Sequence, residues 1–346
     1  MQQQALEYEG RQQALFNSMV EGVLLLDENE RIQMANQAFL HLFDAAGDVR
    51  GKTVIEVIRQ HEMDELLQRV SREKQVLGFE LIQSGPSERC LQVNASAVFD
   101  GSGARSGTIL VFHDLTRLKQ LEHTRQEFVA NVSHELRTPL SLIKGYTETL
   151  LEGAKENPEV ATRFLQTIQR NSERLQFLIE DLLIISELES GRVAMNMQQV
   201  QMRSVIEKVL EDLRPQALGR NITLTNEAAE LVAQADPERL QQVLGNLVGN
   251  AIKYGRAGGR VTVQANEKGN CVEVCVRDDG PGIPPEALDR VFERFYRVDK
   301  ARSREQGGTG LGLAIVKHII QNHGGRVWAR SEVGNGASFY FTLPHL

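Results

Sequence analysis

The sequence is short of cysteine, of long apolar runs and of positive charge, and each shortage excludes something. Three cysteines (Cys90, Cys271 and Cys275) in 346 residues cannot build a disulfide framework. With no CxxC pair or Cys/His cluster they make no zinc module either, and such usage fits a cytoplasmic chain. In "CVEVCV" the even spacing of Cys271 and Cys275 puts both on one strand face, an expectation of core packing rather than a metal site. No stretch reaches the roughly 20 apolar residues of a membrane-spanning helix, and the polar start "MQQQALEYEG" is no signal peptide. The chain as given is expected to be soluble, or the cytoplasmic part of a protein anchored in a membrane upstream. A net charge of -7 without a basic run argues against nucleic acid as a partner, because phosphate contacts need concentrated Lys and Arg.

The bulk composition, 41% hydrophobic and 25% charged, is that of a globular protein, and the length calls for two or three domains. After a helical lead-in over 1–11, residues 12–115 read as an α+β module. "GVLLLDENERIQMANQAF" gives a strand, a polar turn, a second strand and a helical run to Phe43. "CLQVNASAVFD" and "GTILVFHD" are later strands separated by a Gly/Ser-rich turn. Over 116–192 the period becomes helical. Leu118, Leu121, Phe128, Val132, Leu136, Leu140 and Ile143 recur at threes and fours, "GAKENPE" breaks the run, and a second stripe passes through Leu165, Ile168, Leu175, Leu178, Leu182 and Ile185. One helical hairpin cannot hide both stripes. Pairing two hairpins into a four-helix bundle does, so a homodimer is predicted. Residues 198–346 return to mixed α/β with glycine clusters.

Two motif-like stretches carry no chemistry. "HELRT" begins like the zinc motif HExxH, but Thr138 stands where the second histidine is required. "GDVRGKT" has three residues between its glycines where a P-loop needs four, so it reads as a turn leading into the helix "TVIEVIRQ".

"NVSHELRTPL" is different. At about 100° per residue His134 lies some 160° from Val132 and Leu136, so it faces solvent. Arg137 and Thr138 share its face, and Glu135 sits at the rim. An imidazole acting as a nucleophile needs one ring nitrogen free and the other held, a task for a neighbouring carboxylate. Thr138 offers a hydroxyl one turn away that can orient water. Pro139 removes the amide that would reach the Glu135 carbonyl, at a cost of about 3 kcal/mol in a helix interior. From this segment alone, a nucleophile and an ordinary solvated histidine both remain open.

In "LQQVLGNLVGNAIKYG" an apolar stripe (Leu240, Val243, Leu244, Leu247, Ala251) runs beside a polar one of Asn246, Asn250 and Lys253. Amide oxygens can coordinate Mg²⁺ and the ammonium can neutralise phosphate, while Tyr254 can cover a base. In "VRDDGPGIP", Asp278 can accept the amine of adenine, and Gly280 and Gly282 permit a close turn beneath it. "GGTGLGLAIVKHI" is a glycine-rich loop opening a helix, suited to phosphate; the charged "KARSREQ" before it rules out a dinucleotide-binding βαβ unit. "VFERFYRVDKARSREQ" looks like a mobile lid pinned by aromatics, with Arg297 able to reach phosphate.

Together these motifs resemble the bacterial sensor histidine kinases of two-component systems. "FVANVSHELRTPL" is similar to the family's phosphorylation-site box, and "NLVGNAIKY", "DDGPGIP", "FERFYR" and "GTGLGLAIVK" to its nucleotide-binding boxes, in the same order. The module before them resembles a PAS domain, and the whole is closest to the phosphate-regulon kinases. The resemblance implies a PAS-like sensor domain, a phosphotransfer hairpin forming a dimeric four-helix bundle, and an α/β sandwich like that of gyrase and heat-shock protein 90. It implies His134 attacking ATP with help from Glu135, and Thr138 serving dephosphorylation of the partner. It implies Mg²⁺ on Asn250 and nucleotide contacts from Asn246, Asn250, Lys253, Tyr254, Asp278, Gly280, Gly282, Ile283, Phe292, Arg297, Thr309, Gly310, Leu311 and Gly312. The implied partner is the receiver domain of a response regulator. A gyrase-type ATP clamp leaves "SHELRTP" unexplained, and a sensory scaffold leaves the nucleotide boxes unexplained.

Overall fold

The computed structural model describes residues 10–11, 13–45, 47–83, 88–189, 195–299 and 308–344. The chain divides into two compact units, Met1–Glu127 and Phe128–Leu346. Most of the expected lead-in, the end of the expected hairpin domain, and the second half of the expected lid lie outside the described residues. Among the described residues no helix is long and apolar enough to cross a membrane.

The first unit is an antiparallel five-stranded sheet of order β2-β1-β5-β4-β3: β1 (Gly22–Leu26), β2 (Ile32–Ala35), β3 (Gln75–Gln83), β4 (Arg89–Phe99) and β5 (Arg105–Asp114). Helices α1 (Gln37–Leu42), α2 (Val54–Ile58) and α3 (Glu62–Glu73) lie between β2 and β3 in sequence. α3 buries Met63, Leu66, Leu67 and Val70, a stripe at helical spacing. Phe39, Phe43 and Phe112 form an aromatic cluster with centroids 4.8 to 5.4 Å apart. "GDVRGKT" is the expected turn. Gly47 and Gly51 take positive φ, and Thr53 caps α2 in a reciprocal box with Glu56.

Asn36 holds this unit's entrance together. Fully buried, it accepts from the amides of Val23 and Phe39, both at 2.9 Å, and donates to the Glu21 carbonyl at 2.8 Å. One side chain thereby caps α1 and closes β1 onto it.

The second unit begins within α4 (Thr116–Leu151), which a 3-10 turn (Ala154–Glu156) links to α5 (Pro158–Glu189). Pro158 occupies the first turn of α5, where no amide is missed, and the Asn157 side chain accepts from Glu159 and Val160. Tyr146 and Phe164 tie the helices at 4.9 Å. The apolar stripes divide between two environments. Leu178, Ile185 and Leu188 are buried against the C-terminal part of the unit, whereas Leu140, Leu165, Ile179 and Leu183 remain about half exposed.

That C-terminal part carries the sheet β11-β12-β10-β9-β7: β7 (Thr223–Asn226), β9 (Arg260–Lys268), β10 (Cys271–Asp278), β11 (Val327–Ser331) and β12 (Ala337–Pro344). Only the β7–β9 pair is parallel within it, and a short ladder of β6 (Gln198–Gln201) with β8 (Val232–Ala235) stands apart. Helices α6 (Met202–Leu218), α7 (Pro237–Tyr254) and α9 (Gly312–Asn322) share one buried apolar cluster with the sheet's inward valines, Val272, Val274 and Val276; α8 (Pro285–Leu288) is a single turn. Cys271 and Cys275 share the face opposite these valines, because strand alternation can turn only one set inward; there Cys275 is buried and Cys271 half-buried. Among the described residues no His, Cys, Asp and Glu cluster could hold a metal ion.

Replacing Asn36 by Ala strands two amides and a carbonyl in the first unit. The expected loss is about 2–4 kcal/mol, read as a lower urea midpoint for that unit.

Candidate nucleotide site and phosphoacceptor helix

Helix α7 is pinned at both ends. Asp236 caps it by accepting from Glu238 and Arg239, and the Asp236 amide donates to Nε2 of the buried His323 at 2.9 Å. At the other end the Arg220 guanidinium donates to the last carbonyls, those of Ile252 and Lys253. This cation satisfies orphan carbonyls and complements the helix dipole. With Leu240, Val243, Leu244, Leu247 and Ala251 buried, the polar stripe must face outward into a cavity of about 440 Å³.

Asn246, Asn250, Lys253 and Tyr254 line that cavity from α7, Asp278 from the end of β10, and Gly282 and Ile283 from the turn that follows. Arg297 and, from the glycine turn, Thr309, Gly310 and Gly312 also line it. Asp278 is buried, which pushes its carboxyl pKa up, and one oxygen accepts from the Gly280 amide at 2.8 Å and the Ala337 amide at 3.3 Å. Its other oxygen accepts no hydrogen bond among the described residues. Gly282 is required at its φ of 75°, since a Cβ there would stand 2.3 Å from the Glu332 carbonyl oxygen.

Three expected contacts sit behind the wall instead. Gly280 closes the Asp278 turn without lining the cavity, Leu311 is wholly buried, and Phe292 packs edge-on to Phe339 at 6.2 Å, which lines the cavity in its place. Sequence reasoning missed the fourth wall, Phe177 and Asp181 of α5. Asp181 accepts the Thr309 hydroxyl proton at 2.8 Å across 128 residues, and burial raises its carboxyl pKa.

His134 is exposed on α4, as its position opposite Val132 and Leu136 requires, and the helix runs unbroken through Pro139. The Thr138 hydroxyl donates to the His134 carbonyl at 3.2 Å. Glu135 is not bonded to the imidazole here. Its Oε2 accepts from Arg174 at 3.0 Å and Arg297 at 3.1 Å. Arg297 is nearly buried, and its Nε has no hydrogen-bond partner among the described residues. That Nε lies 3.2 Å from where a Gly310 Cβ would be, so an unsatisfied cationic donor borders the glycine turn. Such a donor calls for an anion.

The sequence comparisons agree with this geometry. Family models match residues 16–120 (PAS fold), 124–191 (His Kinase A phospho-acceptor domain) and 235–346 (histidine kinase-, DNA gyrase B- and HSP90-like ATPase). The chain is 35% identical to a WalK sensor protein kinase of Staphylococcus aureus, over 96% of its own length and 80% of that protein. WalK kinases of Staphylococcus epidermidis (35%) and Bacillus subtilis (36%) match over 96% and 94% of the chain but 55% and 54% of themselves. The chain thus spans about half the length of several curated relatives it matches. Among solved structures, histidine kinase AdeS of Acinetobacter baumannii superposes with a TM-score of 0.52 at 25% identity, over 61% of this chain and 98% of that one. Histidine kinase ThkA, solved in complex with response regulator protein TrrA, gives 0.53 at 23% identity, over 96% and 98%, a likeness of fold. A phosphoacceptor-type hairpin joined to an ATPase-type sandwich defines a two-component kinase architecture. The chain belongs to the bacterial sensor histidine kinases. These relatives are named WalK, and the finer likeness to phosphate-regulon kinases is untouched by them.

Lys253 gives a direct check on the site's electrostatics. Burial first, then Arg297 and Arg174, lower its pKa from 10.5 to about 8. The unfolded chain therefore binds the extra proton between these values, and the stability penalty from Lys253 disappears as pH rises from about 8. The ε-carbon chemical shift of Lys253 is expected to titrate near 8, and Arg297→Gln should raise that midpoint. An ordinary lysine midpoint in the unaltered protein would contradict the burial.

Proposed function

We propose that this chain is an ATP-dependent kinase that phosphorylates its own His134 and passes the phosphoryl group to an aspartate of a response regulator. The observation that carries this reading is Arg297, which lines the nucleotide cavity while gripping Glu135, the residue beside the exposed His134. The same guanidinium therefore touches both the cavity and the phosphoacceptor pair.

In the proposed reaction a free imidazole nitrogen of His134 attacks the γ-phosphorus of ATP. The bond to the β–γ bridging oxygen breaks, and ADP leaves. Glu135, exchanged from its two arginines, accepts the proton from the second ring nitrogen and offsets the growing positive charge. Lys253 and Arg297 neutralise the phosphates, and Asp278 takes the adenine amine. Asn250, which lines the cavity, carries an amide oxygen suited to Mg²⁺, which when bound would neutralise charge on the transferred phosphate. Thr138 would orient water for hydrolysis of the phosphorylated partner. ThkA's complex with a response regulator supports a receiver domain as partner. The half-exposed stripe of Leu140, Leu165, Ile179 and Leu183 supports a homodimer closed by a second hairpin. The domain limits 12–115, 116–192 and 198–346, a cytoplasmic setting and an upstream membrane anchor belong to the same proposal.

With ATP labelled at the γ-phosphate, the unaltered chain should acquire acid-labile label and His134→Gln none. Label surviving in His134→Gln would remove the assignment. Asn250→Asp should weaken Mg-ATP binding in calorimetry while leaving the oligomeric state unchanged.

A further inference from the structure

Asp181 belongs to no box that the sequence singled out, yet it projects from α5 into the lining of the nucleotide cavity. We propose that Asp181 sets the cavity's affinity for polyphosphate by occupying, as a carboxylate, the donor that a phosphate oxygen would take. The inference rests on the nucleotide reading above.

The hydrogen bonds show the mechanism. The Leu311 amide, at the start of α9, donates to the Thr309 hydroxyl oxygen at 3.2 Å, and the Thr309 hydroxyl donates onward to Asp181 Oδ2 at 2.8 Å. The glycine turn's hydroxyl proton is thus committed to a carboxylate that its own hairpin supplies. Glu135 does the same to Arg297, from the other helix of the hairpin. Two hairpin acids therefore each take a hydrogen bond from a group that lines the cavity.

A triphosphate entering the cavity meets Asp181 twice over. It must take the Thr309 proton from an existing acceptor, and it must approach a half-buried carboxylate of like sign. Burial raises the carboxyl pKa, so displacing Asp181 toward water relieves a desolvated charge as well. Adenosine, lacking phosphates, avoids both costs. The residue therefore discriminates ligands by the charge of the phosphate chain, and filling of the cavity by ATP opposes the α5 contact.

The test is calorimetric titration of the full chain and of Asp181→Asn, with a non-hydrolysable ATP analogue plus Mg²⁺ and, separately, with adenosine. The asparagine keeps shape and an acceptor for Thr309 but removes the charge. The analogue should bind Asp181→Asn about fivefold or more tightly, the effect of one charge about 4 Å away even at the dielectric constant of water. Adenosine affinity should not change. The gain should shrink with added salt. Weaker binding of the analogue would make Asp181 a ligand and overturn the proposal, as would an unchanged affinity or an equal gain for adenosine. Binding of neither ligand by either chain would instead overturn the nucleotide reading, and this inference with it.

Discussion

The site depends on the orientation of a single helix. α7 carries Asn246, Asn250, Lys253 and Tyr254, and its rotation is fixed because five apolar side chains on a neighbouring stripe are buried against the rest of the sandwich. A rotation of one residue, about 100°, would move the amides out of the cavity and place polar atoms in the core. Hydrophobic burial thus sets the direction of the chemistry. The caps at Asp236 and Arg220 prevent the axial slippage that burial alone would tolerate.

The hairpin obeys a different economy of surface. Its helices are too apolar to stand alone, and their stripe is divided between the nucleotide-binding sandwich and a face left half exposed. Leu178 and Ile185 are buried against the sandwich, whereas Ile179 and Leu183 stay about half exposed. Periodicity showed that the stripes were wide; it could not show how much of them the sandwich covers.

Local features were legible in the sequence, and contacts between distant segments were not. Hairpin, turn decoy, solvent-facing His134 and the α7 stripe all follow from spacing within one element, where 3.6-residue geometry leaves little freedom. β3 escaped notice because Gly78, at positive φ, accompanies a register shift between Val76 and Phe79 and so spoils the alternation that marks a strand. Phe177 and Asp181 could not be found, since nothing near them in sequence resembles a nucleotide motif and their partner Thr309 lies 128 residues away. Glu135 stands out in sequence only through its place beside His134, and its pairing with Arg174 and Arg297 is a tertiary fact. Phe292 and Leu311 were read as contacts because they sit inside motifs, whereas their burial makes them the backing on which Phe339 and Thr309 rest.

Phe295 has φ of 61°, a left-handed conformation that a residue with a Cβ adopts only at a cost of about 1–2 kcal/mol. It is kept there by the hydrogen bond from its amide to the Gly310 carbonyl, at 2.8 Å, and by its ring against Phe128 of α4, at 5.9 Å. The segment after β10 is therefore held under tension, like a bent spring with one end on the glycine turn and the other on the phosphoacceptor helix. The left-handed backbone at Phe295 is thus fastened to the glycine turn and to α4 at once, so the placing of Arg297, two residues on, answers to both.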